Sequence, residues 1–557
     1  MKKSIPIGIS NFKELIEGNY YFVDKTSVIK EFIRNSAQVI LTPRPRRFGK
    51  TLNMSIIKHF FDMNEENKHL FKGLKIEQDK ETMKLNQKYP VIFISFKGIK
   101  YENMEDAIKA FASVLSDVYK KYMYLLDGDN MVDIEKREFN KVLNKEADIV
   151  LLSSAISNLM AYLSEYHNKK VILLIDEYDV PIQEGYIKGY YEKIISFERN
   201  MLSEALKDNN YLEKAMLTGI LRVAKESIFS GLNNLKVSSL TGFEFSEKFG
   251  FTESEVIELL KYYNLQKELI KIKDWYNGYI FGDTTIYNPW SVLNYLDNIR
   301  EGLKAYWINT SANDLIKGIL SRGNEEIKRD LEILISGEKI KKVVNDNIVM
   351  TEIEDSSENL WSFLLFTGYL KVSNKETVDG DLVCELKVPN KEVYTFYRNI
   401  IKKWFSESIS STKYNAMIKA LITGDIKVFE YILKEFVLNS ISYFDIGGKE
   451  PEKVYHAFVL GMLISLSDDY YVKSNKESGY GRYDVMLVPK EVSKLAIIIE
   501  FKKISDFSKD TMEEATEEAL KQIKDMNYRA ELIEGNVENI IELAIVFRGK
   551  EVKVTKR

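Results

Sequence analysis

The 557-residue sequence predicts a multidomain α/β protein, with a parallel-sheet core in its first half and a smaller α/β domain at its C-terminus. Three observations predict it. Short apolar runs at 91–96 and 171–175 have the unbroken character of strands buried on both faces, and the chain between them has helical periodicity. Residues 38–42, also apolar, run through an arginine- and proline-bearing loop into Gly49-Lys50-Thr51 and then into helically spaced apolar residues at 52–61. Near the C-terminus two strand-like segments, 483–489 and 495–502, stand five residues apart, the spacing of a hairpin.

Strand, loop, Gly-Lys-Thr and helix form the context of a phosphate-binding loop, in which backbone N–H groups and a helix N-terminus cradle phosphates. Lys50 is expected to reach the β- and γ-phosphates of ATP, and Thr51 to offer its hydroxyl to Mg²⁺. Arg44, Arg46, Arg47, Phe48 and Gly49 complete the expected nucleotide-binding loop. Arg44 stands where the usual G-x-x-x-x-G-K-T pattern has its first glycine, with Pro43 and Pro45 beside it. The arginines form a local basic patch, for which nucleotide phosphates are the expected partner.

Residues 171–175 end in Asp176-Glu177, and 214–219 follow as a further strand bearing Thr218. This order resembles the branch of P-loop ATPases with an extra strand between its two motifs. The resemblance implies that Asp176 holds Mg²⁺ through water, that Glu177 acts on the attacking water, and that Thr218 senses the γ-phosphate. Arg222 lies just beyond, either as a phosphate contact or as an exposed arginine at a helix start.

A hairpin symmetric about Val492 sets Asp484 opposite Glu500. Side chains two apart on a strand share a face, so Lys502 joins Glu500 while Phe501 turns to the core. Two carboxylates suit Mg²⁺, with Mn²⁺ an alternative, and a lysine beside them can steer water or offset developing charge. The D…E-x-K arrangement resembles the active site of the PD-(D/E)XK nuclease superfamily.

Taken together the chain resembles the bacterial AAA-ATPase-like family whose members carry a C-terminal PD-(D/E)XK nuclease domain. The marks include Tyr21-Phe22-Val23-Asp24-Lys25-Thr26, the loop 44–51, Ile175-Asp176-Glu177-Tyr178-Asp179, Trp275-Tyr276-Asn277-Gly278-Tyr279, Tyr287-Asn288-Pro289-Trp290-Ser291, Tyr306-Trp307-Ile308-Asn309-Thr310-Ser311 and Gly481-Arg482-Tyr483-Asp484. The resemblance implies an arginine at position 44 as a usual feature. In a subset of these nucleases a glutamine and a tyrosine line the site, which makes Gln522 and Tyr528 second-tier candidates. Glu452 and His456, four apart on the first helix of that domain, are further second-tier candidates, with structural roles the stronger reading.

The expected organisation is a P-loop, AAA-like ATPase domain at 1–240 with a mostly helical insert near 102–168. A helical, aromatic-rich lid region follows at 241–354, then a winged-helix-like middle domain at 355–446, and a restriction-endonuclease-like domain at 451–557. The winged-helix reading rests on an apolar helix turning at Gly368 and a hairpin about Asp379-Gly380. Such a module binds duplex DNA or serves as a spacer, and spacer is the stronger reading. Residues 447–451, Gly-Gly-Lys-Glu-Pro, form the clearest linker.

Composition is that of an ordinary globular protein, 45% hydrophobic and 29% charged. One cysteine, Cys384, excludes an internal disulfide, and four histidines argue against a zinc centre. No secretory leader or membrane span is evident, so a cytoplasmic protein is expected. A net charge of −4 means that nucleic acid, with DNA preferred over RNA, must be met by local patches. The expected function is an ATP-gated, Mg²⁺-dependent DNA nuclease. The rival is a nucleotide-dependent switch whose C-terminal domain binds without cleaving. Monomer, small oligomer and ring all remain open.

Overall fold

The wholly buried strands β1 (Val39–Pro43) and β3 (Val171–Asp176) lie inside a five-stranded parallel sheet. It is completed by β2 (Val91–Ser95), β4 (Leu212–Gly219) and β5 (Leu235–Val237), in the order β2-β3-β4-β1-β5. The computed structural model describes residues 2–220, 233–308, 314–321, 325–335, 337–345, 350–353, 356–408, 410–440, 463, 466, 469–478, 481–504, 510–549 and 551–557. Burial on both faces explains why the strands read as unbroken apolar runs. The expected helical insert is present as Met104–Tyr119, Asp133–Leu143 and Ile149–His167, and the last of these packs on helix Tyr191–Leu206. Although β2 lies between the two motifs in the chain, β4 separates β1 from β3 in space. Its register sets Thr218 beside Thr42 of β1.

Contacts divide the chain into two units, residues 1–315 with 341–393, and residues 316–340 with 394–557. The expected middle segment 355–446 is therefore split at residue 393. In the first unit the region after the parallel sheet is not purely helical. Strands β6 (Phe251–Thr252), β7 (Tyr279–Phe281) and β8 (Thr284–Tyr287) form an antiparallel sheet, order β6-β8-β7, among helices Glu253–Tyr263, Leu269–Tyr276 and Pro289–Asp297. Its aromatic residues serve mainly as core: Tyr276, Tyr287 and Tyr295 pack with Val256, Leu259 and Ile272. Helix Ser357–Phe366 and strands β9 (Ile340–Val343), β10 (Lys371–Val378) and β11 (Asp381–Lys387) follow, the sheet order being β10-β11-β9. The β10–β11 hairpin turns at Asp379 and Gly380, both at positive φ (51° and 96°), as a tight two-residue turn requires.

The second unit contains helices Ser411–Thr423 and Ile426–Ser440 and a five-stranded sheet. Strands β12 (Tyr470–Ser478), β13 (Gly481–Pro489), β14 (Ala496–Lys503), β15 (Ile540–Arg548) and β16 (Glu551–Lys556) lie in chain order. Only β14 and β15 pair in parallel, and helix Met512–Asp525 stands in their connection. Tyr483, Met486 and Ile498 of this sheet pack in one cluster with Ile523, Tyr528 and Leu532.

Candidate functional site

In the first unit, the C-terminal ends of β1, β3 and β4 meet a cleft of about 360 Å³. Helix Lys50–Phe61 begins there. Its N-cap, Gly49, sits at φ 84°, a left-handed conformation open to glycine at little cost. Lys50 is buried, and its ammonium donates only to the loop carbonyls of Arg44 (2.9 Å) and Pro45 (3.0 Å). No carboxylate pairs with it among the described residues. Burial therefore pulls its pKa down, against the more distant pull of Glu177, Asp176 and Asp179. A dry ammonium without a counter-anion, at a helix N-terminus lined with backbone N–H groups, suits phosphate oxygens.

Next to it, Thr51 Oγ1 donates to Asp176 Oδ2 at 2.7 Å, and Thr218 Oγ1 donates to Asp176 Oδ1 at 2.6 Å. Hydroxyl and carboxylate oxygens are the hard donors that Mg²⁺ takes, so this set fits that ion. The Thr218 finding differs from the expected phosphate sensor. Its hydroxyl is fully buried and engaged with Asp176, away from the cleft wall. Glu177 does line the cleft. Its backbone lies at φ 54°, a strained value for a glutamate, and such outliers gather at functional sites. Burial, reinforced by Asp176 and Asp179 and opposed by Lys50, raises its carboxyl pKa.

Arg44 requires a correction. Its guanidinium is fully buried, turned away from the cleft and held by the carbonyls of Pro43 (2.8 Å), Ser238 (2.7 Å) and Glu244 (3.2 Å). The rings of Phe249 and Phe281 flank it at 5.2 and 5.4 Å. Burial pushes it down to about 9, which leaves it charged at neutral pH. Arg44 thus ties the loop to the segment after β5, and phosphate is not its partner. The Phe48 side chain is likewise core, edge-on to Tyr279 at 4.8 Å, although the residue borders the cleft. Arg46 and Arg47 do line the cleft. Arg47, at φ 69°, lays its guanidinium over Trp290 at 4.2 Å. Arg222 lies outside the described residues.

Sequence reasoning assigned no role to Asp179, although it closes the Asp176-Glu177-Tyr178-Asp179 run. Its Oδ2 accepts the N–H of Ile220 (2.9 Å) and Gln183 Nε2 (2.8 Å), fixing the end of β4 beside the cleft. Behind it Glu198 is fully buried with neither carboxyl oxygen hydrogen-bonded, and burial, then Asp179, push its pKa well up. Its spacing from Ile194, Ile195, Met201 and Leu202 puts it on the apolar face of its helix, the signal that could have marked it as buried.

In the second unit the hairpin has the expected symmetry. Val485 pairs with Ile499, Met486 with Ile498 and Leu487 with Ile497, a register that continued by one step sets Asp484 opposite Glu500. Asp484 Oδ2 accepts the N–H of Phe501 at 2.8 Å. Glu500 is only 3% exposed, and its Oε1 accepts Gln522 Nε2. Gln522 Oε1 in turn accepts Lys502 Nζ at 3.0 Å, and Glu518 lies 3.3 Å from the same ammonium. Asp484, Glu500, Lys502 and Gln522 are thus brought together. Tyr528 is buried beside them, its ring edge-on to Tyr483 at 5.9 Å, and burial raises its hydroxyl pKa. Glu518 had no signal beyond lying four residues before Gln522. Glu452, His456 and the linker at 447–451 lie outside the described residues. Among the described residues no three His, Cys, Asp or Glu side chains gather as a metal cage. The two carboxylates still fit a hard cation that keeps most of its water, as Mg²⁺ does.

Among the described residues no helix is long and apolar enough to cross a membrane. A family model described as predicted AAA-ATPase matches residues 6–229, and one described as PD-(D/E)XK nuclease superfamily matches residues 450–557. The chain is 26% identical over 394 residues to an uncharacterized protein in the vnfD 5′ region of Azotobacter chroococcum mcd 1, covering 70% of this chain and 68% of that one. The solved structure of the Walker-type ATPase PABY2304 of Pyrococcus abyssi aligns with a TM-score of 0.35 at 14% identity, over 72% of this chain and 98% of that one. This chain joins an AAA-ATPase-like domain to a C-terminal domain of the PD-(D/E)XK nuclease superfamily.

Proposed function

We propose that the chain binds and hydrolyses ATP in the first-unit cleft and cleaves DNA phosphodiesters at the β13–β14 hairpin, with the nucleotide state controlling cleavage. The observation that carries this reading is the Lys50 ammonium, buried beside the Thr51–Asp176–Thr218 chain with no carboxylate partner among the described residues. The Asp484–Glu500–Lys502 grouping on a second, separate sheet supports the nuclease half.

When bound, a divalent cation supplies Lewis-acid polarisation of phosphate at each site. In the cleft Lys50 and the N–H groups of the first helical turn hold the β- and γ-phosphates, and Arg46 and Arg47 add positive charge. Glu177 accepts the proton of the attacking water as the new oxygen–phosphorus bond forms and the bond to the β–γ bridging oxygen breaks. ADP and inorganic phosphate are the products. Its raised pKa makes Glu177 a better base than an ordinary exposed carboxylate. At the hairpin Asp484 and Glu500 would hold the cation, and Lys502 offsets charge on the phosphodiester and steers the water.

The test is cleavage of labelled single- and double-stranded DNA with Mg²⁺ or Mn²⁺, with and without ATP, beside ATP turnover. Lys50→Ala should abolish turnover; Asp484→Ala should abolish cleavage while turnover continues. Unchanged turnover in Lys50→Ala would discard the ATP site. Turnover without cleavage of any nucleic acid would favour the rival reading, a nucleotide-dependent switch whose C-terminal domain only binds.

A further inference from the structure

Helix Pro289–Asp297 presents two adjacent residues to two different partners. Trp290, half-buried in the cleft wall, lies under the Arg47 guanidinium at 4.2 Å. Ser291, fully buried, donates its hydroxyl to Glu392 Oε2 at 2.8 Å. Asn288 fixes both positions by capping the helix, its Oδ1 accepting the Ser291 N–H at 3.2 Å. Glu392 Oε1 also accepts the N–H of Trp307 at 2.8 Å, and Glu392 itself is fully buried.

Glu392 stands in the first turn of helix Lys391–Ser408, and the last of the three places where the chain passes between the two units falls after residue 393. The chain therefore leaves the first unit along a helix whose first turn is held by Ser291. The neighbouring residues reinforce that hold: Lys391 pairs with Asp274, and Asn390 Nδ2 donates to the Asn277 carbonyl at 2.7 Å.

Arg47 can serve only one partner at a time. Its backbone is in a left-handed conformation, the residue is exposed, and it borders the same cleft as Lys50. An exposed cation–π contact is worth roughly 0.5–1 kcal/mol, less than the roughly 1.5–3 kcal/mol of a hydrogen bond to a charged group. A phosphate in the cleft therefore outcompetes the indole.

We propose that the first turn of helix Pro289–Asp297 is the link between nucleotide occupancy and the last segment that enters the second unit, helix Lys391–Ser408. Phosphate draws Arg47 from Trp290, and the resulting shift of the helix is read by Glu392 through Ser291. Arg47 and Trp290 form the sensing pair, and Ser291 and Glu392 are positioning residues for the exit helix. The proposal rests on the ATP-site reading and supplies the physical connection that this reading lacks. It requires that the nucleotide interact differently with two arrangements of this helix.

The experiment uses the full chain with Mg²⁺ and a non-hydrolysable ATP analogue. Equilibrium binding of the analogue is measured first. Tryptophan emission is then compared in wild type and Trp290→Phe, and amide hydrogen exchange is followed across 391–400. Wild type should show an emission change that Trp290→Phe lacks, and an exchange change of about fivefold or more in the first turn after residue 391, the lower end of ordinary coupling. Ser291→Ala and, as a second variant, Glu392→Gln should bind the analogue within about threefold of wild type yet lose the exchange response. Analogue bound with exchange unchanged in wild type, or with the same response in both folded variants, overturns the link alone. No binding of the analogue by folded wild type overturns the ATP site and the link with it.

Discussion

Arg44 offers the sharpest separation of a structural from a ligand role. Replacing it with alanine would leave the Pro43 and Ser238 carbonyls without the donor they now share, at 2.8 and 2.7 Å. Glu244 O would keep the Ser238 hydroxyl as a donor at 2.8 Å, so it counts less. Two buried acceptors left unmet cost about 1–3 kcal/mol each, and the contacts to Phe249 and Phe281 add about 1 kcal/mol. Some water entry reduces the sum, giving a destabilisation of about 4 kcal/mol for the first unit. Arg44→Lys keeps the charge but cannot fork between Ser238 and Glu244, so about half that loss is expected.

The assay is urea unfolding followed by a probe in the first unit, beside nucleotide binding at low denaturant. Arg44→Lys should shift the unfolding midpoint while changing nucleotide affinity by less than about threefold, because no phosphate contact is removed. If instead Arg44→Lys lost affinity tenfold with its midpoint unmoved, the guanidinium would belong on phosphate. The carbonyl cage described above would then be the wrong account of position 44.

Thr218→Val keeps shape but removes the donor to Asp176 Oδ1; ATP turnover should fall by about tenfold to a hundredfold with little change in KM, and Thr218→Ser should restore most of it. Gln522→Leu breaks both bonds that tie Glu500 to Lys502. DNA cleavage should fall by about tenfold to a hundredfold while ATP turnover is unaffected, and a silent variant would remove Gln522 from the site. His59 is held neutral in the fold, its pKa lowered to about 4 by burial and then by Lys58. Its contribution is therefore fully present above the unfolded value near 6.5 and is lost as pH falls toward 4. Each unit in that window should cost wild type about 1.4 kcal/mol relative to His59→Asn, read from unfolding curves at matched pH. Asp62 titrates in the same window with the opposite sign, its pKa raised to about 6 by burial, so the difference between the two proteins is the quantity to read.

What was legible in the sequence follows the reach of each interaction. The Asp484–Glu500 apposition was readable because a hairpin couples residues through a short loop, and one register step moves every side chain to the opposite face. The parallel sheet was readable because burial on both faces writes an unbroken apolar run, as in β1 and β3. Position 44 was misread for the complementary reason. A motif fixes the backbone path of residues 44–51, but where a long side chain goes depends on partners such as Ser238 and Glu244, about 200 residues away in the chain. The same holds for Thr218, whose hydroxyl could face either the cleft or Asp176, and only the β3–β4 pairing decides. Trp290 and Glu198 complete the pattern. Neither the type nor the spacing of Trp290 reveals that it meets Arg47, whereas the spacing of Glu198 marks it as buried but not that its carboxyl has no hydrogen-bond partner among the described residues. Local rules therefore give the scaffold and the charged residues at its strand ends. Assigning each charge to phosphate, to metal or to the protein's own carbonyls requires the long-range contacts, and that assignment separates Lys50 from Arg44 within one loop.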